Sequence, residues 1–321
     1  MISILKITFI GTSEFGIPIL EEIIDYKENK VSVITQPDRP QGRSQRILPS
    51  PIKKIALRKG LSIFQPEDIN EEGSIRKLEE FQPDIVLLVA YGQKLSNRIL
   101  NIPPMGCINI HASLLPKYRG AAPINWAIIN GEKETGITYI FMNEKIDAGD
   151  IFYQQKITIL PDETYGELIK RLSNLSAEAI NDLLIKIKNK QVERITQDKQ
   201  ISTYAKKLSK EDGEINWEKK GVEVYNLIRG VTPYPGAFTN YKGKKLIITL
   251  ARLQYNHQNE FATNSMSPGK VAKIEKDAIS VSTGDRGIIR ILKLIPSGAK
   301  ELSAQQFVNG YKIAVGDILG K

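Results

Sequence analysis

In the first half of the chain, apolar runs rich in β-branched residues alternate with stretches of helical periodicity. The apolar runs cover residues 4–10, 31–35, 84–90, 107–110 and 137–141. This alternation predicts a mostly parallel sheet covered by helices. Residues 85–89 are apolar without a break, which favours a central strand that is buried on both faces.

A long amphipathic helix is predicted over residues 164–190. Its apolar side chains recur at helical spacing, at Leu168, Leu172, Leu175, Ala179, Leu183 and Ile187. The polar run that follows, 189–200, has little apolar periodicity. We therefore predict a Rossmann-like α/β domain over 1–189, a linker over 190–203 and a second domain over 204–321.

The second half of the chain has the pattern of a small β domain. A short helix is predicted over 221–230, and strands are predicted over 245–253, 271–274, 278–282 and 288–294. Turns that contain Gly or Pro separate these strands. Short strands with regular turns indicate a small β-barrel, and oligonucleotide-binding (OB-like) barrels are one such class.

The composition is that of an ordinary globular protein, with 41% hydrophobic and 25% charged residues, and the length of 321 residues suits two domains. Cys107 is the single cysteine, which excludes an internal disulfide and a cysteine-based zinc cluster and suits a reducing cytoplasm. The apolar start is interrupted by Lys6 and is too short to span a membrane. We expect a cytoplasmic monomer without a membrane partner.

The net charge of +9 is concentrated in the C-terminal part of the chain. Residues 1–190 hold 24 Lys+Arg and 23 Asp+Glu, a net +1, whereas residues 191–321 hold 21 and 13, a net +8. A concentrated positive field is typical of proteins that bind polyanions such as nucleic acid, although a solvated lysine-rich surface gives the same count. Charge alone leaves both interpretations open.

The densest group of polar residues near an apolar strand is Asn109, His111 and Ser113, at the carboxyl end of the strand predicted over 107–110. In an open α/β sheet, ligands bind at that edge. Alternation along a strand places the three side chains on one side, so one pocket can present an amide, an imidazole and a hydroxyl. The other histidine, His257, lies in a polar run and is expected to be exposed.

A carboxylate that completes this site is available in the loop after the strand predicted over 137–141. Asp147 lies in this loop, and we expect it at the same sheet edge as His111, although it can equally be a turn residue. The first glycine-containing turn, 11–16, lacks the spacing of a dinucleotide-binding motif, so we expect no NAD site.

These motifs carry a family resemblance. Asn109-x-His111-x-Ser113-Leu114-Leu115-Pro116, then Tyr118-Arg119-Gly120 and Asp147-x-Gly149-Asp150, resemble the 10-formyltetrahydrofolate-dependent formyltransferases in spacing and order. Further motifs, at 9–12, 37–43, 89–92 and 204–208, resemble the branch of that family that formylates methionyl-tRNA. The resemblance covers nearly the whole chain, and Ser13 departs from it where proline is expected.

The resemblance implies a set of roles. Asn109, His111 and Asp147 are the implied catalytic residues. The implied folate-binding residues are Val89, Ala90, Tyr91 and Gly92, together with Ser113, Leu114, Leu115 and Pro116. The implied tRNA-binding residues are Arg43, Lys206 and Lys207. Arg43 lies in a predicted loop over 36–60 that contains seven Lys+Arg and one acidic residue.

The implied co-substrate is 10-formyltetrahydrofolate, the implied acceptor is methionyl initiator tRNA, and the implied chemistry needs no metal. Asn109 and a protonated His111 would donate hydrogen bonds to the oxyanion that forms when the amine attacks the formyl carbon. Asp147 would orient the imidazole and help to accept the amine proton.

Related functions share the same three polar residues. An amino-sugar nucleotide formyltransferase has a small substrate, whereas the +8 charge after residue 190 favours an extended polyanion. A glycinamide ribonucleotide formyltransferase would not need the last 120 or so residues, and a formyltetrahydrofolate hydrolase would not need the basic face. A non-catalytic RNA-binding protein would not need the polar triad.

Overall fold

The computed structural model describes residues 4–41, 45–254 and 267–320. Its strands are β1 (Leu5–Gly11), β2 (Asn29–Ile34), β3 (Arg39–Gln41), β4 (Arg46–Leu48), β5 (Ser62–Phe64), β6 (Ile85–Val89), β7 (Cys107–His111), β8 (Arg119–Gly120), β9 (Glu134–Phe141), β10 (Asp150–Thr158), β11 (Tyr204–Ala205), β12 (Ala237–Tyr241), β13 (Lys244–Gln254), β14 (Val271–Ile274), β15 (Ile279–Ser282), β16 (Ile288–Pro296) and β17 (Leu302–Ser303).

Some of the helices begin at a side chain that caps the first turn. The helices are α1 (Ile17–Asp25), α2 (Pro51–Arg58), α3 (Glu72–Phe81), α4 (Asn97–Leu100), α5 (Pro123–Ile129), α6 (Tyr165–Lys188), α7 (Gly221–Gly230) and α8 (Ala304–Tyr311). Ser50 caps α2 by accepting from the backbone N–H of Lys53, and Ser303 forms a capping box with Gln306 at α8. The long helix predicted over 164–190 is α6.

By its contacts the chain divides into two compact units. The first contains Met1–Gly120, Thr135–Ile157 and Ile169–Ala205, and the second contains Ala121–Glu134, Thr158–Leu168 and Lys206–Lys321. Two segments that we assigned to the first predicted domain, 121–134 and 158–168, therefore belong to the second unit. The segment that we predicted as a linker, 190–203, belongs to the first unit.

The first unit is built on a seven-stranded sheet with the strand order β10-β9-β7-β6-β1-β2-β5. The pairs from β7 to β5 are all parallel. Strand β6 is apolar throughout, and four of its five residues are buried, as expected for a strand that is covered on both faces. The predicted Rossmann-like, mostly parallel sheet is confirmed.

Strand β9 runs antiparallel to β7, with Ile108 opposite Phe141 and His111 opposite Thr138. The loop after β9 therefore starts beside the amino end of β7, where Met142 donates its N–H to the Cys107 carbonyl at 2.8 Å. The loop thus starts at the opposite edge of the sheet from His111, because β9 is antiparallel to β7. It turns back along β7, and Asp147 lies 3.5 Å from His111, at the edge where we expected it.

The second unit contains an antiparallel sheet with the order β12-β13-β16-β15-β14, and β17 pairs with β16. Its core includes Trp217, Val224 and Phe307, which are all at least 96% buried. The strands predicted over 245–253, 271–274, 278–282 and 288–294 match β13 to β16 within two residues at each end. Strand β12 and helix α8 were not predicted.

The C-terminal segment of the second unit bonds to both edge strands of this sheet. Val271 donates its N–H to Asp317 O at 2.8 Å, and Leu319 donates to Gly269 O at 2.8 Å. On the other side, Gly320 donates to Asn240 O at 2.8 Å. The segment thus joins β14 to β12 and closes the curled sheet, which confirms the predicted small barrel.

Candidate active site

Asn109 and His111 lie on β7, between β6 and β9 of the sheet. Each side chain is 6% exposed. Residues two apart on a strand face the same side of a sheet, so the amide and the imidazole are presented together. In the strand register, Asn109 lies between Leu88 of β6 and Ile140 of β9.

Asp147 reaches these two residues from the loop after β9. It adopts a φ of 51°, which is uncommon for a residue other than glycine. The Asn143 side chain braces the loop by accepting from the N–H of Lys145 at 2.9 Å and donating to Ala148 O at 3.1 Å. Gly149 then passes so close to Phe141 that an added Cβ would lie 1.8 Å from the Phe141 carbonyl oxygen.

The Asp147 carboxylate contacts both site residues. Its Oδ1 accepts a hydrogen bond from Asn109 Nδ2 at 2.8 Å. Its Oδ2 accepts from the backbone N–H of Gly120 at 2.8 Å and lies 3.5 Å from His111 Nδ1. With side-chain exposures of 11% for Asp147 and 6% for His111, water does not screen these contacts strongly. The carboxylate therefore orients the amide and the imidazole at the same time.

The other nitrogen of His111, Nε2, lies 2.8 Å from the carbonyl oxygen of Tyr118. A carbonyl oxygen only accepts, so Nε2 carries the proton in this contact. Both ring nitrogens thus face acceptors, the Asp147 carboxylate at Nδ1 and the Tyr118 carbonyl at Nε2. Nε2 therefore has to release the Tyr118 carbonyl before it can donate a hydrogen bond to a substrate oxygen. Asn109 Nδ2 carries two protons and gives one to Asp147, which leaves the other for a ligand.

An open cavity adjoins Asn109 and Asp147 of this triad. Its lining combines apolar side chains with Asn109, Asp147 and two lysines. The lining residues are Leu88, Gln93, Lys94, Leu95, Asn109, Ile140, Met142, Asn143, Glu144, Lys145, Ile146 and Asp147. The cavity therefore presents apolar side chains beside two groups of the polar triad.

The residues predicted to bind folate lie near this cavity in sequence, but they do not line it. Ala90 and Gly92 are exposed and have positive φ values of 46° and 96°. Val89 and Tyr91 are buried, and burial raises the pKa of Tyr91 to about 12. The cavity is lined instead by the flanking residues, Leu88 and 93–95.

The turn formed by Ser113, Leu114, Leu115 and Pro116 is tied to the sheet. The Ser113 hydroxyl donates to Lys117 O at 2.7 Å, and its carbonyl accepts from the Thr138 hydroxyl at 2.6 Å. Gln154 donates to Leu115 O at 3.0 Å. Ser113 therefore does not join Asn109 and His111 at Asp147, and the folate-binding role of the turn stays a prediction.

Two residues at this site had no assigned role in the sequence analysis. Arg119 and Gln197 are 4% and 5% exposed, and Gln197 bonds to the backbone of the Asp147 loop. Arg119 belongs to a motif that we quoted, so its position was visible as part of the resemblance. Gln197 lies in a polar run without periodicity, and no local pattern distinguishes it from its neighbours.

Arg43, the residue predicted to contact the acceptor end of tRNA, lies outside the described residues, as does His257. The described residues on either side of Arg43 form a short hairpin, with β3 antiparallel to β4. Asp38 precedes this hairpin and bonds to Lys53 at 2.6 Å and Gln65 at 2.9 Å. These hydrogen bonds lower the pKa of Asp38.

Lys206 and Lys207 are both exposed, but their surroundings differ. Lys206 Nζ bonds to Asp212 at 2.6 Å and lies 5.5 Å from the centre of the Trp126 ring. Its hydrogen bond is the largest cause of the lowered pKa of Asp212. Lys206 therefore has to give up or share Asp212 before it can pair with a phosphate.

Within residues 4–41, 45–254 and 267–320, no group of three or more His, Cys, Asp or Glu side chains is placed to bind a metal ion. No helix among the described residues has the length and apolar character needed to cross a bilayer.

Comparison with protein families places the chain close to one group of enzymes. The family model described as "Formyl transferase" matches residues 5–184, and the model described as "Formyl transferase, C-terminal domain" matches residues 207–312. Among curated proteins, the methionyl-tRNA formyltransferase of Alkaliphilus oremlandii is 41% identical to this chain, and the alignment covers 99% of this chain and 100% of the relative. The methionyl-tRNA formyltransferase of Geobacter metallireducens is 43% identical, and the alignment covers 98% of this chain and 99% of the relative.

Solved structures share the fold at low sequence identity. A sugar 3N-formyl transferase, WlaRD, is 20% identical with a TM-score of 0.65, and the match covers 90% of this chain and 97% of that one. HypX from Aquifex aeolicus, solved with tetrahydrofolic acid, is 16% identical with a TM-score of 0.65. The match covers 98% of this chain and 49% of the HypX chain.

Replacing Gly149 by alanine should destabilise the Asp147 loop. The new Cβ would meet the Phe141 carbonyl oxygen at 1.8 Å, so the backbone has to move, at a cost of about 1–3 kcal/mol or more. The matched control is Gly73→Ala, because a Cβ there meets no atom within 4 Å. Denaturant unfolding of the two variants checks this, and equal stabilities would contradict the close approach of Gly149 to Phe141.

Proposed function

The chain belongs to the formyl transferase family, and we propose that it transfers the formyl group of 10-formyltetrahydrofolate to the α-amino group of methionyl initiator tRNA. The product, formylmethionyl-tRNA, would supply translation initiation. The observation that carries this proposal is the similarity to methionyl-tRNA formyltransferases at 41–43% identity over 98–99% of the chain. The geometry around Asp147 supplies the chemistry.

The reaction begins when the lone pair of the neutral α-amine attacks the formyl carbon. The carbonyl electrons move to the formyl oxygen, and a tetrahedral intermediate with a negatively charged oxygen forms. The second Nδ2 proton of Asn109 is available to stabilise that oxygen, because only the first is donated to Asp147. Donors that are fixed in place before the charge develops typically contribute 100-fold or more to the rate.

The intermediate collapses when the bond between the formyl carbon and N10 of the folate breaks. The attacking nitrogen loses a proton and N10 gains one, so the reaction needs proton transfer but no net acid or base. His111 and Asp147 are in contact at 3.5 Å and are positioned to relay this proton. An α-amino group has a pKa near 8, so a useful fraction is already neutral at pH 7 and a strong base is not required.

The cavity beside the triad suits the folate co-substrate. Leu88, Leu95 and Ile140 give it an apolar wall, while Asn109 and Asp147 give it polar groups. We also include Val89, Ala90, Tyr91 and Gly92 in this site, because they lie in sequence between the cavity-lining residues Leu88 and Gln93. We assign Ser113, Leu114, Leu115 and Pro116, the turn that follows β7, to the folate site as well.

The tRNA would bind through positive charge. The net +8 after residue 190 provides attraction to the phosphate backbone without sequence preference. We assign direct contacts to Lys206 and Lys207, and we assign the contact with the acceptor end to Arg43. This assignment explains why an enzyme for a one-carbon transfer carries a net charge of +8 after residue 190.

An acceptor assay tests the proposal most directly. Purified protein with 10-formyltetrahydrofolate should formylate methionyl initiator tRNA, because the chain carries both the triad and a net charge of +8 after residue 190. An amino-sugar nucleotide, tested in parallel, should not be formylated. The measurement is the kcat/KM for each acceptor, followed as release of tetrahydrofolate and as labelled product.

The Asp147→Ala variant provides the inactive control in that assay. The substitution removes the carboxylate that orients both Asn109 and His111. Formylation of the amino-sugar nucleotide with a higher kcat/KM than methionyl-tRNA would replace the proposed acceptor. Equal activity of Asp147→Ala and wild type would place the chemistry elsewhere.

Binding of tRNA should weaken steeply as salt rises, because lysines that contact phosphates release counterions. Neutralising one contacting lysine should lower the slope of log affinity against log salt by about one unit. Lys207→Ala should therefore reduce the slope. Lys206→Ala should have a smaller effect, because Lys206 already bonds to Asp212 at 2.6 Å.

The matched control for this measurement is Lys30→Ala, at an exposed residue of strand β2. A wild-type slope near zero would contradict an electrostatic role for the basic surface. Slopes that are unchanged in both lysine variants would remove this pair from the interface.

A further inference from the structure

Gln197 differs from every residue around it. It is the one buried residue among residues 191–200, at 5% exposure, while its neighbours Thr196 and Asp198 are exposed. A polar side chain that is buried in this way needs partners for each of its hydrogen-bonding groups. The contacts of Gln197 therefore show what it does.

All the hydrogen-bonding groups of the Gln197 amide are used. Its Nε2 donates to Asp147 O at 2.9 Å and to Gly149 O at 2.7 Å. Its Oε1 accepts from Arg119 Nε at 3.1 Å and from Arg119 Nη2 at 2.7 Å. The reversed amide would place its oxygen against two carbonyl oxygens and its N–H groups against a guanidinium. The amide orientation is thus fixed.

These bonds join the two segments that define the position of the Asp147 carboxylate. Gln197 bonds to the backbone of Asp147 itself, where φ is 51°. It also bonds to Arg119, and the next residue, Gly120, donates its N–H to Asp147 Oδ2 at 2.8 Å. Gln197 therefore connects the backbone of Asp147, which carries the carboxylate, with the segment Arg119–Gly120, whose N–H group binds that carboxylate.

The segment that carries Gln197 is fixed independently of its side chain. Ile195 and Ile151 exchange both backbone hydrogen bonds at 2.8 Å, and Thr196 donates to Asp150 Oδ1 at 3.0 Å. Further along, Arg119 donates its N–H to Thr203 O at 2.9 Å. A substitution of Gln197 consequently removes the amide contacts and leaves the course of the segment in place.

We propose that Gln197 is a positioning residue for formyl transfer, which sets the Asp147 carboxylate relative to Asn109 and His111. This inference rests on the proposed function. Since its hydrogen bonds go to the backbone carbonyls of Asp147 and Gly149 and to Arg119, it acts through the backbone of the Asp147 loop and through Arg119. Its loss should lower the rate of the chemical step and leave substrate binding nearly unchanged.

The test compares Gln197→Met with Gln200→Met, a matched control at an exposed position of the same segment. Methionine keeps the length of the side chain and removes the donors and the acceptor. Gln197→Met should lower kcat about 10- to 100-fold, as expected when a catalytic group is misplaced by a fraction of an ångström to an ångström. The KM for folate and for tRNA should change less than about threefold, and Gln200→Met should behave as wild type.

A background variant separates positioning from general stability. If Gln197 acts through Asp147, Gln197→Met should cost less than about threefold when it is added to Asp147→Ala, since the carboxylate to be positioned is already absent. The same fold-loss in both backgrounds, a wild-type kcat for Gln197→Met, or a loss confined to KM would each overturn the proposal. Thermal melting and hydrogen exchange over residues 143–150 check that the variants fold and that the effect is local.

The rate is followed as conversion of 10-formyltetrahydrofolate to tetrahydrofolate. If wild type turns over with an acceptor other than methionyl-tRNA, the proposed function fails, while the same comparison of variants with that acceptor still decides the role of Gln197.

Discussion

The candidate site depends on the position of one carboxylate. Asp147 accepts hydrogen bonds from Asn109 and from the backbone of Gly120, each at 2.8 Å, and lies 3.5 Å from His111. Without these contacts the Asn109 amide could rotate, and the imidazole would lose the charge beside Nδ1. A carboxylate that is 11% exposed keeps these interactions strong because little water competes for them.

The sheet and the loop after β9 place this carboxylate through backbone geometry. Strand β7 presents Asn109 and His111 on one face, while antiparallel β9 starts the loop at the other end of β7. Gly149 allows the chain to pass against Phe141, and Asp147 takes a positive φ to face β7. Each of these features is local, and together they determine where a single side chain lies.

Much of this organisation could be predicted from the sequence. The apolar runs predicted β1, β2, β6, β7 and β9 of the first sheet and β13 to β16 of the second, because burial on one or two faces leaves a clear period in the sequence. They did not predict β5, β10 or β12. The antiparallel direction of β9 could not be read from its composition, since a buried strand looks the same in either direction. Gln197 was missed for a related reason: its importance comes from tertiary hydrogen bonds, and its neighbours in sequence are solvated. The closing segment at 316–320 likewise depends on pairing with strands that are distant in sequence.

The most direct test of this account is a double-mutant cycle between Asn109 and Asp147, measured as kcat for formyl transfer to methionyl-tRNA. If the carboxylate acts by orienting the amide, Asn109→Ala should cost on the order of 100-fold in wild type. In the Asp147→Ala background it should cost much less, so that the double variant is nearly as fast as the slower single variant. Fold-losses that multiply would show that the two residues act independently, and would contradict the central role of the Asp147 carboxylate.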